Sequence, residues 1–390
     1  MAVTIHKSPQ SFTPSDNPVV WVFSSNQTAQ ANFSYLVEVY INGNLDSQNG
    51  PIFPTSGINA WFDAHEITSR SVNKPVITDE PIDDAENYCN VYIKVIERYG
   101  SPVASYASAT SSTVKVWKAK LSNLDFEAYD ATEYVMTGAA DVLFVTQFPS
   151  SINPKIRVDE THRLMLLTNS DPITDVEYNL YDIDGNIIVT DSVTGTFTNP
   201  ISIINVSPAV IIAETAITLA EFEEAAYYNV LVYPTTANPV MYRIDMNTAK
   251  RFSTGKRLHA LARFGGVEGF SFDLISRDSS AVASESYQKK FGYIDGQDFI
   301  FDTNDGTDID IAKVETQKLS VESDWLTQLE QHWLVKNFYL SPAVYIENSN
   351  GTLRRVRITN TAFAPGIQEN DMLISEKVDL VIGQETSMIL

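Results

Sequence analysis

Hard oxygen donors crowd one stretch of this 390-residue chain: Asp302, Asn304, Asp305 and Asp308 surround Gly306 in FDTNDGTDID. Carboxylate and amide oxygens gathered on a tight turn are what calcium takes as ligands. The spacing is not that of an EF-hand, because the twelfth position counted from Asp302 is Lys313, where a bidentate Glu belongs. An acidic glycine turn without metal has the same composition, so these four residues are a candidate calcium loop. No other cofactor is expected.

The remaining reactive groups are dispersed. His6, His65, His162, His259 and His332 are scattered and Cys89 is the sole cysteine, so the ligand cluster of a zinc site is missing. His65-Glu66 opens as a zincin helix does, but no second His follows at the required spacing. There is no Gly-x-Ser-x-Gly elbow to support a serine hydrolase. Asp125 and Glu127 form a sequence-local carboxylate pair, and nothing around them separates an acid from a base as a glycosidase requires. Gly265, Gly266 and Gly269 lack the strand–turn–helix setting of a dinucleotide fingerprint and read as a tight turn or bulge. No catalytic residue is expected.

Two other groups read as contact surfaces. Arg355 and Arg357 share one face of an expected strand, with Val356 and Ile358 on the other, and Arg354 stands beside them. Such a face touches phosphate or pairs with an acidic neighbour. The charge distribution favours the neighbour: residues 1–249 carry 12 Lys and Arg against 29 Asp and Glu, a net of −17, within a whole-chain charge of −22. That excess repels nucleic acid. Trp325 and Trp333 are expected to divide between core and interface.

The elements that must position these groups are mostly strands. Phe33, Tyr35, Val37, Val39 and Ile41 alternate up to Asn42-Gly43, a hairpin turn signal. Val91, Ile93 and Val95 mark another strand, followed by Thr113–Lys118. Arg163–Thr168, Val176–Asp182, the Asp184-Gly185-Asn186 turn and Tyr228–Tyr233 repeat the pattern, with Thr218 and Glu221 spaced as a capping box. Near the C-terminus one helix is expected, capped by Ser323 with Asp324 in its first turn and Leu326, Leu329 and Trp333 on one side. A hairpin over Val344–Thr359 and a closing strand near Met372–Ile382 follow it. The expected class is mainly β: tandem β-sandwich, immunoglobulin- or fibronectin-III-like domains over 1–118 and 119–250, then an α+β domain over 251–390 with one helix packed on a sandwich. A lone strand thiol fits a chain made in a reducing cytosol. The opening MAVTIHKSPQSFTPSDNP has no apolar leader core, and no stretch is long and apolar enough for a membrane span.

In order along the chain, NPVVWVFSSNQTAQANFSYLVEVYING, NAWFDAHEITSRSV, VYIKVIERYGSP, RLMLLTNSDP and FGGVEGFSF resemble virion structural proteins of tailed phages that infect Bacteroidetes, the crAss-like phages included. The resemblance implies a non-enzymatic neck-ring, collar or tail component built of sandwich domains. It implies as partners copies of the chain in a cyclic ring, other virion proteins (portal, adjacent ring or tail proteins) and genomic DNA that passes without specific binding. It implies a virion location after synthesis in the host cytoplasm, with no membrane contact. Two rivals stand beside it. One is a distal-tail or surface protein holding host glycan on aromatic loops, Trp61 among them; the other is a cell-wall glycan hydrolase. Calorimetric titration tests the acidic loop: calcium heat with a dissociation constant below about 1 mM establishes the site, and its absence removes it.

Overall fold

The computed structural model describes residues 3–73, 82–84, 87–136, 142–146, 148–169, 171–247, 255–288, 292–300, 308–348, 352–360 and 374–388. The protein is mainly β, with several sheets and a few short helices. It divides into two compact units, Met1–Thr248 with Ala260–Gly269, and Ala249–His259 with Phe270–Leu390.

In the first unit a six-stranded sheet runs Phe12–Pro14, Val114–Trp117, Tyr88–Tyr99, Ser34–Ile41, Asn44–Ile52, with Ala104–Thr110 also on Tyr88–Tyr99. A second sheet holds Thr4–Lys7, Val20–Ser24 and Asn59–Asp63. The two share a core of Trp21 and Phe23 with Tyr35, Val37, Val39, Val91, Ile93 and Val95, as the alternation requires: Val37 lies opposite Val95 and Val39 opposite Ile93. The hairpin turn forms as expected, with φ of 49° at Asn42 and 82° at Gly43. Glu38 breaks the alternation. It is buried, yet its carboxylate accepts from Gln48 Nε2 at 2.9 Å and from the Tyr40 hydroxyl at 3.0 Å, which offsets the cost of taking a charge from water.

The same unit contains a five-stranded sheet in the order Lys155–Ile156, Val240–Met246, Tyr227–Pro234, Ile173–Tyr181, Ile187–Phe197. Beside it lies a three-stranded one of Arg163–Leu167, Ile201–Asn205 and Ile82–Asp84. Val176, Tyr178, Leu180, Tyr228, Val230 and Val232 share a core with Leu164, Leu166 and Ile204, and the Tyr228 hydroxyl donates to the Val206 carbonyl at 2.7 Å. The capping box forms at Leu219–Glu224, where Thr218 N–H donates to Glu221 Oε2 at 2.7 Å.

A third cluster joins the two β assemblies. Phe12, Trp117, Leu121, Tyr129 and Phe264 pack with Met165, Leu167, Ile201 and Ile203, and Ile82–Asp84 pairs with Ile201–Asn205. Residues on both sides of position 118 therefore belong to one compact unit. The glycine pair is the expected tight turn: Gly265 has φ of +96°, its N–H donates to the Ala262 carbonyl at 2.9 Å, and a Cβ there would lie 2.5 Å from the Lys118 carbonyl.

The helix of the C-terminal unit packs on a seven-stranded sheet whose residues belong to that unit except 260–261 and 267–269. The strand order is Val267–Phe272, Lys256–Leu261, Val344–Glu347, Leu353–Ile358, Lys377–Met388, Asp308–Glu322, Ile275–Gln288, with a separate hairpin of Tyr293–Asp295 and Asp298–Ile300. The helix starts later than the sequence suggests. It spans Gln328–Leu334, capped by Thr327 in a box with Glu330, and continues as a π turn over Val335–Tyr339. Ser323 is no cap, and Asp324 and Leu326 precede the helix. The Ser323 hydroxyl is taken by the Glu376 N–H at 2.8 Å, and Leu326 N–H donates to Ile374 O at 2.6 Å. Thr327 and Glu330 offer both halves of a reciprocal cap, which a lone serine cannot match. The Asn350-Gly351 turn and Met372 lie outside the described residues.

Gly265→Ala is expected to cost about 2–4 kcal/mol in the unfolding free energy, from left-handed backbone strain plus the clash with Lys118 O and the Trp117 ring. Urea denaturation of the variant checks it; a loss under about 1 kcal/mol contradicts the packing described.

Candidate functional site

The arginine face forms as the alternation requires. In Leu353–Ile358, Val356 is buried while Arg354, Arg355 and Arg357 are exposed. The strand is held on both sides, Tyr345 opposite Arg355 and Arg357 opposite Val381. Arg355, Arg357, Tyr339, Pro342, Val344 and Gly383 are among the residues lining an open groove of about 690 Å³. Its rim is partly fixed: Arg355 Nη2 donates to the Pro342 carbonyl at 3.3 Å. The Arg354 guanidinium lies over Gly383, where a Cβ would come within 2.9 Å of Nη2. Among the described residues no carboxylate forms an ion pair with these three arginines. The groove therefore presents uncompensated positive charge, suited to an acidic partner.

The C-terminal unit also holds buried polar pairs far apart in sequence. His259 Nε2 and Glu347 Oε2 are 2.7 Å apart and both buried. Glu376 is buried and takes a hydrogen bond from Gln331, and the Tyr339 hydroxyl reaches its other oxygen at 3.4 Å. Burial, and then the charge of Glu376, drive the Tyr339 phenol above its ordinary range. Neither Tyr339 nor Gly383 was legible as part of the groove, since the fold alone brings them beside Arg355.

The tryptophans divide. Trp333 is 4% exposed and packs on Phe338 and Phe270 at centroid distances of 5.2 and 5.9 Å. Trp325 is 61% exposed, on the segment before the helix. Of the candidate calcium ligands, Asp302, Asn304 and Asp305 lie outside the described residues. Asp308 is exposed and begins a strand opposite Gln288. Among the described residues no group of three or more His, Cys, Asp or Glu is placed to hold a metal.

Of the sequence-local carboxylates, Asp125 serves local structure. Asp125 accepts from the Ser122 hydroxyl at 2.6 Å in a helix cap. It lines a 270 Å³ recess in the first unit with Glu133, Tyr134 and Phe264, while Glu127 does not. Burial, then the charges of Glu133 and Asp125, raise the Tyr134 phenol. A larger recess of about 800 Å³ is lined by Asn42, Asn90, Tyr88 and Tyr92, among others. Among the described residues no helix is long and apolar enough to cross a membrane.

No family model matches the chain, and no curated protein matches it. Among solved structures, two of Parabacteroides merdae β-glucuronidase, one with glycerol in its active site, are 10% identical over 63% and 62% of this chain, with TM-scores of 0.17 and 0.16. The chain spans 24% of their length. At these values the likeness carries no argument about activity.

Burial alone pushes the Cys89 thiol up to about 12. Thiolate is the reactive form, so maleimide at pH 8 is expected to modify native Cys89 at least about 1,000-fold more slowly than a free thiol. Labelling followed by mass spectrometry, native against urea-unfolded, checks it; fast native labelling contradicts the burial.

Proposed function

We propose that the chain is a non-enzymatic structural protein of a tailed-phage particle, repeated as a ring or collar in the head–tail connector or tail. The supporting observation is a β arm in the C-terminal unit. The strand Ile275–Gln288 pairs along its length with Asp308–Glu322, and its residues 277–288 are all exposed. Lys377–Met388 on the other side of Asp308–Glu322 makes this a three-stranded arm, and an outer strand exposed along its length offers an edge that a partner can extend. The uncompensated arginine groove adds a second surface, of a sign opposite to the −17 carried by residues 1–249. The order of motifs, which resembles that of virion proteins, is the ground for placing the chain in a particle. Its partners are further copies, then portal, ring or tail neighbours, with DNA passing a carboxylate-rich lumen without specific contact.

One alternative has an observation in its favour. Trp61 is 54% exposed, and the Asn- and Tyr-lined recess offers the mixed stacking and hydrogen-bonding surface that a glycan uses. A host-adhesion protein at the distal tail would use both.

Density-gradient fractionation of the producing lysate, with mass spectrometry on each fraction, separates these readings. The chain is expected in DNA-filled particles at a fixed multiple of other virion proteins. Confinement to soluble fractions overturns the structural reading, and specific retention there on host polysaccharide establishes the glycan one.

A further inference from the structure

The C-terminal unit leaves two strand edges open. Among the described residues Ile275–Gln288 ends its sheet, with Asp308–Glu322 as its only partner strand. Fourteen residues span about 46 Å, and folded proteins ordinarily shorten, cover or interrupt an edge of that length. On the opposite flank, Lys377–Met388 pairs with Asp308–Glu322 out to Met388. It meets Leu353–Ile358 only at Val381 and Leu380. Among the described residues its outer edge beyond residue 381 has no partner strand.

Apolar surface accompanies these edges. Val282, Tyr287 and Ile311 are exposed on the arm, and Tyr293, Ile294 and Phe299 on the hairpin that falls between its strands in sequence. Each leaves on the order of 100 Å² in water, together roughly 600 Å². Spread over the arm and a separate hairpin, these side chains summed approach the roughly 800 Å² that each partner brings to a standard interface. The backbone edge and its polar side chains supply the rest.

We infer that the Ile275–Gln288 edge of one copy pairs with the outer edge of Lys377–Met388 in a second copy, so that successive arms merge into one sheet. Both strands run antiparallel to Asp308–Glu322 and hence parallel to each other, and copies related by rotation about an axis along the strands would join them in a parallel ladder. The two edges are different surfaces on opposite flanks, so the contact is heterologous and ends only by closing through rotation. Pairing Ile275–Gln288 with itself would leave the second edge open in every copy. The inference rests on the assembly reading above and names its contact.

Light scattering on the purified full-length chain is the test, beside the triple variant Val282→Lys, Tyr287→Lys, Ile294→Lys. Wild type is expected as one closed oligomer and the variant as a monomer with an unchanged melting transition, since all three side chains already face water. Hydrogen exchange on wild type gives a readout free of mutation. The alternate amides of 282–288 that point away from Asp308–Glu322 are expected to slow on the order of 100-fold relative to the monomeric variant, where a lone edge leaves them fast. A monomeric wild type overturns the inference and transfers the arm to a different virion protein. An oligomer that survives the triple substitution, or fast amides within it, overturns the edge contact and leaves the ring reading standing. Absence of the wild-type chain from particles overturns the ring reading itself.

Discussion

The indole of Trp117 must be covered on every side while its single N–H finds an acceptor, and the first unit is arranged around that demand. The ring is fully buried, with Phe12, Tyr129 and Phe264 at centroid distances of 6.4, 6.0 and 6.1 Å. The N–H donates to the Phe264 carbonyl at 3.0 Å. Those partners come from the start of the chain, from the segment after the strand, and from a turn more than a hundred residues on. No single β assembly could supply them. Two sandwiches that share such a core have lost their independence, and cutting between them would expose large aromatic surface.

The turn that closes over Trp117 shows how tightly this is drawn. Gly265 approaches so closely that its missing Cβ is what allows the Lys118 carbonyl and the indole edge to sit where they do. A pattern that reads as unremarkable punctuation in the sequence is thus a packing requirement. The same residues argued against nucleotide binding, and for the same physical reason: the turn joins two strands and opens no helix.

What was legible follows from local periodicity. Tyr35, Val37 and Val39 face the core because a strand has period two, and Asn42-Gly43 turns because both residues tolerate positive φ. The arginine face at Arg355 and Arg357 came from the same rule. Legibility ended where partners were distant. The helix start moved from Ser323 to Thr327 because Glu376, 53 residues away, claims the serine hydroxyl. The core shared by residues on both sides of position 118 includes Phe264 packed on Trp117, a pairing 147 positions apart that no local pattern shows. The length of the arm was hidden for a different reason: SRDSSAVASESY has few apolar residues, so no buried face marks it as a strand, and pairing with Asp308–Glu322 defines it.

The bare edge of Ile275–Gln288 also has a cost during synthesis. A long unpaired strand is a template for any extended chain nearby, and in the proposed assembly the same edge would permit either a closed ring or open-ended stacking. Arg277, Asp278 and Glu285 interrupt the edge with charge, and the −22 of the whole chain makes like copies repel at low ionic strength. In an assembly built through this edge, that acidity would oppose contact between copies until salt or a neighbour screens it.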